Sequence, residues 1–150
     1  MSLYAIALFV HVVGAVLVFV LLTVEGVGLG SGMAAARVSR VLGPISALAI
    51  LIPGFYMAAQ SGWHAWTAVG LASYAVIAGL GAYTGISVAR GRMSSRAATT
   101  SWLIRTAIAL AVVFDMTIKP DLVGSTVAVV VGVAIAIAAV VPTLRVVRAG

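Results

Sequence analysis

The chain contains no cysteine, only three acidic residues (Glu25, Asp115 and Asp121), and charged residues at just 8% of its 150 positions. Without thiols there are no disulfides, zinc thiolates or iron–sulfur ligands. A soluble domain carries about 25% charged and about 45–50% apolar residues. This chain is 63% hydrophobic and cannot clothe a water-facing surface in charge. The same balance excludes a disordered chain, and the net charge of +6 is spread among long apolar runs rather than forming a nucleic-acid-binding face. No Ser/His/Asp set is arranged for a hydrolase, and no soluble domain is left over to carry one. The expected class is an all-α polytopic membrane helix bundle, a single transmembrane domain whose first partner is the lipid bilayer.

A spanning helix needs about 20 mostly apolar residues. Five segments meet or approach that length, at about residues 3–24, 41–60, 65–89, 102–118 and 122–144. Lys119-Pro120-Asp121 separates the last two, and a proline between apolar runs marks a turn. Pro44 is expected in the first turn of the second span, where its missing N–H costs little. Pro53, mid-span and followed by Gly54, is expected to kink the helix and free the carbonyl of Ala49.

The cations test this division. Arg37, Arg40, Arg90, Arg92, Arg96, Arg105, Arg145 and Arg148 fall on one side of a five-span bundle, and Lys119 alone on the other. Positive residues favour the cytoplasmic side. The expected topology therefore has the N-terminus outside and the C-terminus cytoplasmic, in a bacterial plasma membrane. The first span lacks a basic leader and reads as an uncleaved helix. Tyr4, Tyr56, Trp63 and Trp66 would mark the outer interface and Trp102 the inner one.

Ionisable residues at membrane depth are costly and face a bundle interior. On an α-helical projection Tyr4, His11, Gly14, Val18 and Glu25 share one stripe. Gly14 would let a second helix approach it. Glu25 is expected to meet Arg105 near the inner boundary. Asp115 is expected to pair with Lys119, four residues on, and to lie near the level of His11. His11 is the leading candidate ligand, for haem b or copper, with Lys119, Met57, Met116 and His64 as further donors in the outer half. No HxxxH or CxxC spacing accompanies them, and methionine also fills gaps in cores. The GxxxG from Gly81 to Gly85 favours close helix contact within the bundle or between subunits, in a homo-oligomer or a larger membrane complex. Gly26, Gly28, Gly30 and Gly32 lack the strand and the Lys-Ser/Thr of a phosphate loop.

Three segments, LYAIALFVHVVGAVL with His11, GPISALAILIPGFYMA with Pro53, and RTAIALAVVFDMTIKPDLVGS with Arg105, Lys119 and Pro120, together resemble a family of small bacterial integral membrane proteins. That family is in turn distantly similar to copper-resistance-protein-D-like and HemJ-like membrane proteins, the latter being protoporphyrinogen oxidases. The resemblance implies a haem-linked role for His11 and a lesser one for Lys119. Asp115 stands outside its pattern. Three functions remain open on the sequence: a redox-cofactor protein, a structural or assembly subunit, and a transport protein in which His11, Asp115 and Glu25 relay protons or bind a cation.

Overall fold

In the computed structural model, which describes residues 2–28 and 33–146, the chain forms five helices. They are α1 (Leu3–Gly28), α2 (Met33–Ser61), α3 (Ala65–Ala89), α4 (Ser95–Ile118) and α5 (Leu122–Val146). Side chains are described between residues 2 and 28 and between 38 and 139, so Gly30, Gly32, Arg37, Arg145 and Arg148 lie outside that description. All five helices are long and apolar enough to cross a membrane. Only 11–28% of each span's apolar window is buried within the bundle. The remaining apolar surface is left uncovered by the bundle, and the chain is a multi-pass membrane protein.

Two helix starts differ from the sequence reading. The fourth helix begins at Ser95 and not at Trp102. Ser94 caps it by accepting from the Ala97 amide, one of the orphan donors of a helix start. The polar residues that follow do not break the helix, and Thr99 and Thr100 satisfy their hydroxyls on the carbonyls of Ser95 and Arg96. The second helix begins at Met33, which leaves Pro44 inside it rather than in its first turn. Below Pro44 the Ser46 hydroxyl donates to the Gly43 carbonyl at 2.9 Å.

Glycines set where the helices cross. A Cβ on Gly14 would stand 2.8 Å from the Ile50 side chain and 2.9 Å from the Ala49 and Ile50 backbone. Here α1 rests directly on the main chain of α2. Gly132 of α5 similarly seats against the Ala107 carbonyl and the Ala111 methyl of α4. Gly70 of α3 receives the Met116 methyl of α4. The GxxxG pair divides its work. Gly81 admits the Arg105 guanidinium, whereas Gly85 meets nothing within 4 Å. The helices thus pack as α1 on α2 and α4 between α3 and α5, with α1 also against α4. Val18, Leu22, Ile77, Ile108 and Ala109 make the apolar centre that joins α1, α3 and α4.

Candidate functional site

The buried ionisable groups fall into two layers on either side of that apolar centre. In the layer toward the α3–α4 connection, Arg105 Nη2 lies 2.7 Å from Glu25 Oε2, with side chains 5% and 20% exposed. The approach is off the hydrogen-bond axis, and Arg105 Nε finds no partner. Close by, the Trp102 indole donates to the Leu22 carbonyl at 2.6 Å. Its ring occupies the space that a Cβ on Gly26 would need. Glu25, Gly26, Trp102 and Arg105 thereby clasp α1 to α4. The contact expected from helical phase and depth is present.

His11 is partly buried, and its Nδ1 lies 2.9 Å from the Ile50 carbonyl. A carbonyl only accepts, so Nδ1 donates in this bond and Nε2 is left out of it. The ring lies against Gly54, whose Cβ would stand 3.2 Å from the imidazole. The glycine after Pro53 thus makes room for the histidine. His11 anchors α1 to α2 and does not reach toward Asp115.

The opposite layer is built around Asp115, which is 0% exposed and, among the described residues, has no partner for either carboxylate oxygen. Its position follows from the α4–α5 seam. Ala107 and Ala111 meet Gly132 there. Asp115 is one turn beyond Ala111, and Ser125 lies two turns before Gly132 on the antiparallel neighbour, so both fall on the same seam. Ser125 is also 0% exposed, and its hydroxyl has no partner. Across on α3, one turn above the Gly70 seat of Met116, the Thr67 hydroxyl is buried and unpartnered as well. By position along their helices, the three unmatched oxygen-bearing side chains fall at a similar level, each about a turn from the end of its helix.

The expected Asp115–Lys119 pair does not form. Lys119 caps α4 in the left-handed conformation, with φ 52° and its amide on the Asp115 carbonyl. That reversal carries its stem away from the seam. Its ammonium lies 5.5 Å from the Trp66 ring centre, over the face, where the ring quadrupole attracts a cation that remains in water. His64 stacks on Trp66 at 5.6 Å, and its Nδ1 bonds the Gly62 carbonyl. His64, Trp66 and Lys119 form a cover that ties the α2–α3 loop to the α4–α5 turn above Asp115.

The candidate ligands are accordingly divided. His11 and Met57 belong to the α1–α2 pair. Met116, His64 and Lys119 belong to α3, α4 and their connections. Among the described residues, no three His, Asp or Glu side chains stand where they would hold a metal ion. Ser125 and Thr67 are the members of the site that sequence reasoning missed. A signal for Ser125 was present: it mirrors Asp115 across the Pro120 turn. Comparison of the chain with protein-family models, with curated proteins and with solved structures found no match.

Proposed function

We propose that this chain is a small membrane protein that takes up a proton or a small monovalent cation at Asp115. One observation supports the reading above the others. Glu25 is matched by Arg105, and the imidazole N–H of His11 by a carbonyl. Among the described residues, Asp115 alone of the ionisable groups at membrane depth is sealed from solvent with both oxygens unmatched. An unpaired charge in such a setting costs several kcal/mol. The carboxylate therefore needs a proton or a cation, and the Ser125 and Thr67 hydroxyls are oxygens able to share it. An all-oxygen donor set suits a hard cation. Buried hydroxyls continue along α3 at Ser73, Thr84 and Ser87, interrupted by the apolar layer at Ile77.

The protein in liposomes, with a trapped pH dye and an imposed potential, is expected to pass protons or sodium. Asp115→Asn is expected to abolish that flux, and Ser125→Ala to slow it. Flux that persists in Asp115→Asn, or that is absent from the wild type, overturns the reading. The cofactor alternative rests on the Nε2 of His11, the ring nitrogen not used in the bond to Ile50. A Soret band in the purified protein that vanishes in His11→Ala would move the conclusion there.

The orientation belongs to the same proposal, with the N-terminus outside and the Arg-rich connections in the cytoplasm. Single cysteines are usable because the chain has none. A cysteine at residue 62 is expected to react with an impermeant maleimide in intact cells, and one at residue 92 only after lysis. The reverse pattern would invert the topology.

A further inference from the structure

We infer that the groove between α3 and α4, at the arginine-bearing end of the bundle, is a binding site for an anionic phospholipid. It lies at the opposite end from Asp115 and does not depend on the transport reading. The groove has a volume of about 450 Å³. Leu80 of α3 and Ala97 and Ile104 of α4 give it an apolar floor, while Ser94, Arg96 and Thr100 edge it. Its α4 positions recur every three to four residues and so form one continuous stripe along the helix. From Ser94 to Ile104 the stripe runs about 15 Å at about 1.5 Å per residue. That is half of a hydrocarbon core of roughly 30 Å, the depth of one leaflet.

The two ends of the groove differ chemically in the way the two ends of a lipid do. The deep end is lined by Leu80 and Ile104, and the one hydroxyl on the wall before it, Ser101, is engaged with Thr84 at 2.7 Å. The shallow end opens where α3 stops at Ala89 and α4 starts at Ser95. The connection there carries Arg90, Arg92 and Arg96, of which Arg96 lines the groove, and no acidic residue occurs between positions 89 and 104. Guanidinium groups suit phosphate oxygens because their N–H fork matches them. A soluble anion would use the arginines and leave the groove empty. An anionic lipid uses both, its phosphate on the arginines and an acyl chain in the groove. Arginines near a membrane surface also attract anionic headgroups in general, so the test must separate a seated lipid from a surface field.

The full-length protein in a neutral maltoside detergent supplies that test. Phosphatidylglycerol is expected to raise Tm by about 5 °C more than phosphatidylcholine, a shift in keeping with saturating ligand linkage. Inorganic phosphate is expected to produce no such shift. Arg96→Gln is expected to lose most of the difference between the two lipids. Ala97→Trp, which fills the groove, is expected to abolish it, and Arg40→Gln, outside the groove, to keep it. The readout is the difference between lipids, so a change in basal Tm in any variant does not confound it. Equal shifts for the two lipids, a phosphate effect as large as that of the lipid, or a preference undiminished in Arg96→Gln each overturn the assignment. Should Ala97→Trp fail to fold, Arg96→Gln, an exposed position, decides the matter alone.

Discussion

Replacing Arg105 by alanine is expected to destabilise the bundle by about 3–5 kcal/mol, the range found when one partner of a buried ion pair is removed. The guanidinium is 5% exposed and lies at 2.7 Å from Glu25, which is itself 20% exposed. Loss of the cation strands the carboxylate. Because Glu25 retains some access to the headgroup region, the cost should fall toward the lower end of that range. Lysine should not restore stability. Arg105 Nη1 lies 2.9 Å from where a Gly81 Cβ would be, so the flat fork fits a slot that a rounded ammonium on a flexible stem does not fill. Unfolding in mixed detergent micelles would measure these effects. Glu25→Leu combined with Arg105→Met should recover most of the loss, because an apolar pair of similar volume carries no desolvation cost. An Arg105→Ala protein within about 1 kcal/mol of wild type would reduce the pair to a solvated surface contact.

That pair was legible in the sequence because helical phase and depth determine it. Spans of known rise place Glu25 and Arg105 at one level, and their scarcity in apolar surroundings gives each a single plausible mate. The five spans were legible for the same reason, since length and hydropathy alone define them. The start of α4 was not. Its polar first turns look like a loop when read for hydropathy, yet they are helical, with the Ser94 cap at their start and the Thr99 and Thr100 hydroxyls satisfied by back-bonds. The start of α2 was misread in the same way, by treating its basic first turns as a connection. The Asp115–Lys119 expectation failed on a conformational detail. Spacing of four residues brings two side chains together only while the helix continues, and Lys119 is the residue at which it ends, with φ 52°. Ser125 and Thr67 went unseen because serine and threonine are common in spans. Only the seam at Gly132 and the seat at Gly70 show which hydroxyls turn inward.

Gly14→Ala is expected to cost about 1–3 kcal/mol, as overpacking does in a close-fitted core, and Gly14→Leu more. The methyl would lie 2.9 Å from the Ala49 carbonyl carbon and the Ile50 amide nitrogen. Main-chain atoms in a helix cannot swing aside as a side-chain tip can, so α1 and α2 must separate. Separation has a second consequence. His11 lies one turn before Gly14, and its 2.9 Å bond reaches Ile50, the residue at the crossing itself. A displacement of about 1 Å exceeds the reach of a good hydrogen bond and leaves both the imidazole N–H and the Ile50 carbonyl poorly matched. Gly85→Ala provides the control, because a Cβ there meets nothing within 4 Å. With the clash removed, the helix preference for alanine should make that variant neutral or more stable by up to about 1 kcal/mol. The contrast between the two substitutions, measured in the same micelles, isolates packing from propensity. Were Gly14→Ala to gain stability as Gly85→Ala does, α1 would not be resting on the backbone of α2. The anchoring of His11 beside that crossing would then fall with it.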